Sequence, residues 1–464
     1  MADNTEALRS GPMGALLFRL SLPAALGMAV QASYSLVDAF FVGQGVGSAG
    51  IAAVSMTFPL QMVIMAVAQA GGVGGASVIS RNLGAGRRKR AEKTAGTVFF
   101  VTWAAGLLLS VLWILLAPFL LRFMGTSGDI LPLAEEYAAV LFLGAPFFAF
   151  SITANNFVRA EGNASFAMMT MIISAGINTL LDPLFILGFG WGVRGAAWAT
   201  VLSQGGTALW LGWYYLTGRS LVAFRWKHFR FRASILAECL SVGAAAFARQ
   251  GAASLSLLAV NLALASTGGD DAVAAYGIVN RVLLFAVMPV FGMVQGLLPV
   301  VGFNYGAKQY CRVTSALRIS IGASSVLCAA GAALFLTVPE AVAGLFTTSP
   351  AVTVLGADAA RMLALGMPLT GFQIMASGLF QAIGKVRPSF VLSLLRQVIF
   401  LVPLVTVLAP VFGTAGVWGS FPAADLSAAL VTWLMYRKEM RRLRNSCGSG
   451  AEKLRRERPG ARTS

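Results

Sequence analysis

Charged residues are scarce in this chain. They make up 11% of its 464 residues, whereas hydrophobic residues make up 57%. An ordinary soluble domain contains about 25% charged residues. The shortage excludes an ordinary soluble domain and indicates a chain that crosses a lipid bilayer many times.

Residues that carry enzyme chemistry are also few. His228 is the only histidine, and we expect it to be solvated in its basic stretch. The four cysteines are scattered without a CxxC pair, so we expect neither a disulfide framework nor a zinc site. A Gly-x-x-x-x-Gly-Lys-Ser/Thr motif is missing, which argues against an ATP-driven pump. We therefore predict a protein that is not an enzyme and has no cofactor.

The net charge of +17 has a membrane explanation. Basic residues occur in short runs between apolar segments, as in 87–90, and in the C-terminal tail. Such runs mark cytoplasmic loops by the positive-inside rule, whereas the intervening loops are bare or acidic, as at Asp270 and Asp271. We predict a plasma-membrane protein with both termini in the cytoplasm and no nucleic-acid partner.

Apolar segments long enough to span a bilayer, which takes about 20 residues, occur twelve times. The sequence thus predicts an all-α polytopic membrane protein. The predicted spans are 16–43, 51–79, 94–121, 130–158, 166–187, 191–216, 236–264, 272–302, 313–338, 352–382, 389–409 and 417–436.

The second half of the chain repeats the first. Gly144 and Pro146 correspond to Gly366 and Pro368, and Thr126-Ser127 corresponds in the same register to Thr348-Ser349. Six spans in each half predict two lobes related by a pseudo-twofold axis along the membrane normal, which is a transporter architecture. The predicted parts are an N-terminus at 1–15, an N-lobe at 16–217, a linker at 218–235, a C-lobe at 236–436 and a disordered basic tail at 437–464.

Four polar residues of the N-lobe reach a similar depth in the outer half of the membrane. At 1.5 Å per residue, Asp38 lies about 8 Å below the outer end of its span, and Asp182 about 9 Å. Asn178 lies one helical turn from Asp182, and Thr200 enters from the next span. Two carboxylates, an amide and a hydroxyl suit Na⁺, and the carboxylates also suit a proton. The alternative is a set of neutral, hydrogen-bonded packing residues.

The C-lobe has no copy of this cluster, since the repeat places Val260 opposite Asp38. Its spans instead carry charged residues near the midplane. One interpretation is a buried network of ion pairs, and the other is a site for an anionic or zwitterionic group. The residues are Arg249, Arg281, Arg396 and Asp425.

Several short motifs resemble one transporter family over residues 13–440, namely MATE (multidrug and toxic compound extrusion), and its MepA-like branch in particular. The motifs are Val37-Asp38 with Gly43, Gly84-Ala85-Gly86, Glu161-Gly162-Asn163, Asn178 with Asp182-Pro183, Gly195-Ala196-Ala197, Phe303-Asn304-Tyr305-Gly306-Ala307 and Leu395-Arg396-Gln397.

The resemblance implies a V-shaped pair of lobes that export organic amphiphiles, antibiotics included, in exchange for Na⁺ or H⁺. It implies a cation site at Asp38, Asn178, Asp182 and Thr200. Some relatives have further carboxylates in spans seven and ten of the second lobe, and this sequence lacks them, so that second site is not expected here.

Polar groups of the N-lobe could also line a substrate cavity together with the charged residues of the C-lobe, although helix–helix hydrogen bonds are an alternative role. These N-lobe residues are Gln31, Tyr34, Gln61 and Gln204. The alternative function is a flippase or exporter of a lipid-linked or anionic metabolite that uses the C-lobe arginines. We expect a monomer whose partners are the lipid bilayer and small amphiphilic substrates.

Overall fold

The computed structural model describes residues 2–126, 128–223, 225–344, 346–347 and 349–457, with side chains from residue 5 to residue 447. The described residues form helices and no strand. Helices satisfy all their backbone hydrogen bonds internally, which a chain in lipid requires. Ser127 and Thr348 of the predicted repeat lie outside the described residues, as do 458–464 of the tail.

The first half of the chain contains eight α-helices among the described residues. A π-helical segment, Pro183–Gly188, follows the seventh, and a short 3₁₀ turn, Phe142–Gly144, separates the fifth from the sixth. The helices are α1 (Ala2–Ser10), α2 (Met13–Val46), α3 (Ser48–Gly84), α4 (Arg88–Phe123), α5 (Ile130–Leu141), α6 (Ala145–Ala160), α7 (Ala164–Asp182) and α8 (Gly192–Leu216).

The second half contains six more α-helices among the described residues. A second π-helical segment, Leu395–Leu401, precedes the last of them. They are α9 (Ala233–Gly306), α10 (Tyr310–Thr337), α11 (Pro339–Gly344), α12 (Pro350–Ala382), α13 (Val386–Leu394) and α14 (Val402–Glu457).

Two continuous helical stretches, α9 and Val386–Cys447, are long enough to hold two spans each. The backbone of α9 turns at Gly269, with φ 65° and ψ −160°, and that of α14 turns at Gly413, with φ 60° and ψ −142°. Glycine adopts such positive φ values without the steric penalty that a side chain would bring. Nine described stretches are long and apolar enough to cross a membrane. Dividing these two, and adding α8, gives the twelve spans predicted from the sequence.

The chain forms two compact units. The first comprises Met1–Glu6 and Leu22–Phe247, and the second comprises Ala7–Ser21 and Ala248–Ser464. In the first unit, one apolar cluster surrounds Phe142 and Leu121, and another surrounds Phe99 and Phe157. The lobe boundaries predicted from the sequence remain predictions.

The basic tail differs from its prediction. Residues 437–457 continue α14, whereas their composition predicted disorder. Residues 437–444 are all good helix formers, namely arginine, lysine, glutamate, methionine and leucine, so they extend an existing helix at little cost. His228 also differs, since it is buried in the 3₁₀ turn Trp226–His228 and packs against Gly96.

A disulfide joins Cys311 at the start of α10 to Cys447 near the end of α14, with their Cα atoms 5.2 Å apart. No disulfide framework was expected, because the cysteines are scattered without a CxxC pair. Two cysteines 136 residues apart give no local signal in the sequence. The next residue, Arg312, holds a second distant segment. Its guanidinium donates to the carbonyl oxygens of Leu8 and Gly11, at 3.4 and 2.8 Å.

Candidate functional site

Two helices of the first unit bring their carboxylates together. Asp38 lies in the outer part of α2, and Asp182 is the last residue of α7. Pro183 follows directly and has no N–H to donate, and the backbone there changes to the π-helical segment. Such π-helical turns are rare and often occur at functional sites.

The two carboxyl groups contact each other. The Asp38 side chain forms a hydrogen bond with that of Asp182, and Asn178 Nδ2 donates to Asp182 Oδ1 at 3.4 Å. Asp182 is 0% exposed. A carboxylate is only an acceptor, so a direct hydrogen bond between two carboxyl groups requires a proton on one of them.

Three oxygen atoms of this cluster are buried and have no hydrogen-bond donor. They are Asp38 Oδ1, Asn178 Oδ1 and Asp182 Oδ2. A buried acceptor without a partner costs about 1–3 kcal/mol, more for charged groups. Oxygen atoms of carboxylates and amides are the ligands that hard cations prefer. The cluster can therefore take up a proton or coordinate a small cation.

Tyr137 belongs to this cluster, although it was not among the residues predicted for it. It is buried on α5, forms a hydrogen bond with Thr200, and lies close enough to Asp38 and Asp182 to interact with their charges. Tyr137 therefore links Thr200 to the cluster, since its hydroxyl bonds Thr200 and its ring lies near the two carboxylates. A buried tyrosine hydroxyl needs a partner, but one tyrosine in an apolar span gives no sequence signal comparable to an aspartate.

The other polar residues predicted for the N-lobe are placed differently. Tyr34 forms a hydrogen bond with Gln31, one turn earlier on α2. Gln61 is half-buried on α3. Gln204 is buried on α8, its Oε1 has no partner, and it packs against Gly144, where a Cβ would lie 2.6 Å from that oxygen.

The second unit holds its buried carboxylate in an ion pair. Both oxygens of Asp425 on α14 accept from the Arg396 guanidinium, at 3.4 Å for the bond from Nη2 to Oδ2. Gln373 Nε2 donates to the Asp425 backbone carbonyl at 3.0 Å. Gly366 admits this arrangement, because a Cβ there would lie 2.3 Å from Asp425 Oδ2. The charge of Asp425 is thus neutralised within the unit.

The network of four charged residues that the sequence suggested does not form. Arg396 pairs with Asp425, whereas Arg249 and Arg281 are exposed. Neither makes an ion pair with any residue that the structure describes. Similar depth in the membrane was not enough to bring these arginines to the carboxylate.

A third buried carboxylate, Glu161, lies in the turn between α6 and α7. It accepts from the Tyr214 hydroxyl at 3.1 Å and from the backbone N–H groups of Leu221 and Val222 at 3.0 and 3.3 Å. Ser220 Oγ also donates to it. Burial raises the pKa of this carboxyl to about 7, although the donated hydrogen bonds oppose the shift. Within the first unit, Glu161 thus fixes the segment after α8 against the turn between α6 and α7.

An all-helical chain of twelve spans, with a carboxylate pair inside one unit and an ion pair inside the other, defines a multi-pass membrane transporter with two related halves. The sequence model of the MatE family matches residues 23–184 and 246–407, so it detects the same duplication. The chain belongs to the MATE family.

Known relatives agree with this assignment. The multidrug export protein MepA of Staphylococcus aureus (strain NCTC 8325 / PS 47) is 29% identical over 426 residues, covering 91% of this chain and 93% of MepA. A MOP superfamily transporter from Pyrococcus furiosus is 31% identical, with a TM-score of 0.88, over 95% of this chain and 98% of that one. A MATE structure in a bent conformation gives a TM-score of 0.90 at 30% identity, over 96% and 99% of the two chains.

Proposed function

We propose that this protein exports organic amphiphiles from the cell in exchange for an entering cation, H⁺ or Na⁺. The observation that carries the proposal is the pair Asp38 and Asp182, which share a hydrogen bond and retain donor-free oxygens in a buried site. In this proposal the protein is a monomer in the plasma membrane, with both termini in the cytoplasm. The similarity to MepA, a multidrug export protein, supports the choice of substrates.

The coupling cation binds to Asp38, Asn178 and Asp182, with Thr200 positioned by Tyr137. Without a cation, two carboxylates in contact repel each other in a buried site, which favours a separation of α2 from α7. A proton or Na⁺ removes that repulsion and holds the two helices together. The cation therefore binds one arrangement of α2 more tightly than the other.

This difference provides the coupling. An exported compound that prefers the arrangement without the cation is released when the cation binds, and the reverse holds by thermodynamic linkage. Pro23 lies within α2 and removes one backbone hydrogen bond, so it offers a point at which this helix can bend.

The test is exchange in proteoliposomes with separate proton and sodium gradients. The Asp38→Asn variant should lose gradient-driven export of a fluorescent dye down to the rate of empty liposomes, while it still purifies as a folded protein. The matched control is Asp358→Asn, which makes the same change at an exposed residue that pairs with Arg361 at 3.3 Å. Undiminished exchange by Asp38→Asn under both gradients would show that the cation site is wrongly assigned.

A further inference from the structure

The first span of the second unit has two distinct faces. In this part of α9, Leu255, Leu258 and Leu262 are exposed, and their spacing of three and four residues places them on one side of the helix. Ala252, Ser256 and Val260 are buried, and their spacing of four residues places them together on another side of the helix. The leucines therefore form the face toward lipid, and the second set forms the face toward protein.

Arg249 belongs by its spacing to the buried face, since it precedes Ala252 by three positions and Ser256 by seven. Its side chain is nevertheless exposed, unlike the other residues of that face. It makes no ion pair with a described residue. The face toward protein thus has an opening at this level, and a free guanidinium lies in it.

The position of Arg249 along the helix places it deep in the membrane. At 1.5 Å per residue it lies about 24 Å from Ala233 and about 30 Å from Gly269. Long basic side chains reach the head groups only from near helix ends, and a charge in hydrocarbon is costly, so arginines in spans face protein or water. The opening around Arg249 is therefore filled with water or with a polar ligand.

The other charges of this unit leave Arg249 uncompensated. Asp425 is occupied by Arg396 through both carboxylate oxygens. Arg281, in the next span, is also exposed and unpaired among the described residues. The membrane-embedded part of the unit is therefore net positive, which repels a purely cationic compound and attracts an anionic group.

We propose that Arg249 binds an anionic group, a carboxylate or a phosphate, on the transported compound, so that the substrates are anionic or zwitterionic amphiphiles. The guanidinium matches the two oxygens of such a group with two parallel hydrogen bonds. This inference rests on the proposed export function for its biological meaning. Binding can nevertheless be measured without any ion gradient, so the two proposals can fail separately.

The test uses rhodamine B, a zwitterion with a carboxylate, and its ethyl ester, which lacks that carboxylate but keeps the ring system. Their affinities are measured by fluorescence polarisation with the full-length protein in phosphatidylcholine nanodiscs. The wild type should bind rhodamine B about tenfold more tightly than the ester, as expected for a hydrogen-bonded charge pair. Arg249→Gln should bring that ratio close to one, and Arg249→Lys should keep part of it.

Arg318→Gln is the matched control, because it removes an exposed arginine near the start of α10 and should leave the ratio unchanged. A preference that survives Arg249→Gln, or a wild type that binds the ester as tightly as rhodamine B, would overturn the inference. Nanodiscs with phosphatidylglycerol identify the source of the anion. Loss of rhodamine B binding there in the wild type, but not in Arg249→Gln, would assign the site to a lipid phosphate. Loss in both would overturn the assignment to Arg249.

Discussion

The two units each bury an aspartate among their spans, yet they surround it with opposite partners. Asp182 faces a second carboxylate, Asp38, and oxygens without donors. Asp425 faces Arg396, which satisfies both of its oxygens. Among the described residues, oxygens of the first arrangement lack donors, whereas the Arg396 guanidinium supplies donors in the second. The two halves of the duplicated fold thus differ in whether the buried carboxylate has a positively charged partner.

One packing feature occurs at the same repeat position in both units. Gly144 packs against Gln204 in the first unit, and Gly366, its partner in the repeat, packs against Asp425 in the second. Each glycine leaves room for a polar side chain from a later helix. The space beside the glycine is therefore present in both halves, whereas the side chain that occupies it is a neutral amide in the first half and a carboxylate in the second.

The largest expected effect comes from breaking the ion pair. Asp425→Ala leaves Arg396, whose side chain is 31% exposed, as an unpaired cation within the membrane. The loss should be about 3 kcal/mol of stability, the lower end of the range for buried pairs. The midpoint temperature of unfolding in detergent measures this loss. Asp38→Asn should change that midpoint temperature much less. Asp38 makes no ion pair with a described residue, so its replacement leaves no cation without a partner.

A double variant sharpens this prediction. Asp425→Leu combined with Arg396→Met removes both charges, and such replacements of buried pairs are often nearly neutral. If the double variant is as unstable as Asp425→Ala, the pair contributes through its shape and hydrogen bonds rather than through charge balance.

A smaller effect is expected from Glu161, whose raised pKa makes the first unit sensitive to pH. The folded state holds the proton up to about pH 7, while the unfolded chain releases it near 4.5. Stability should therefore fall as the pH rises through this interval, by about 2–3 kcal/mol in total. The midpoint temperature of unfolding, measured between pH 5 and pH 8, should decrease accordingly.

The control for the pH effect is Glu161→Gln, which cannot ionise. It keeps one acceptor oxygen, whereas Tyr214 and Ser220 donate to different oxygens of Glu161. Its stability should be flatter between pH 5 and pH 8 than that of the wild type. An equal slope in both proteins would place the titrating group elsewhere.

The smallest effect is expected from Tyr137→Phe. Losing one hydroxyl that bonds Thr200 should cost about 1 kcal/mol, which corresponds to a several-fold weaker cation affinity if Thr200 shifts. Cation-dependent tryptophan fluorescence can measure that affinity. The matched change Tyr276→Phe, beside the Arg396 pair in the second unit, should leave it unchanged.

Much of the fold could be predicted because lipid imposes strict rules on a chain. The twelve spans and the duplication follow from segment length and spacing. Depth arithmetic was sufficient to suggest contact between Asp38 and Asp182. Breaks at 265–271 and 410–416 were predicted from the same segments, but not that a single glycine in each, Gly269 and Gly413, makes the turn within an otherwise continuous helix.

The details of both sites depend on helix rotation, which a single sequence does not determine. Three arginines of the C-lobe lie at comparable depth, but only the direction of each side chain decides which one meets Asp425. Tyr137 was missed for a related reason, since its role depends on facing Thr200 rather than on an unusual charge. The Cys311–Cys447 bond likewise depends on tertiary proximity.

The neighbours Cys311 and Arg312 hold segments from opposite ends of the chain, through Cys447 and through the carbonyls of Leu8 and Gly11. These contacts bring the segment around residue 8 close to the segment around residue 447, so the two ends of the polypeptide between them lie near each other. A short linker could join these two ends, and the chain could be opened instead at an exposed turn such as 85–87, between α3 and α4, without losing a helix. A linear membrane chain would thereby become a circularly permutable one.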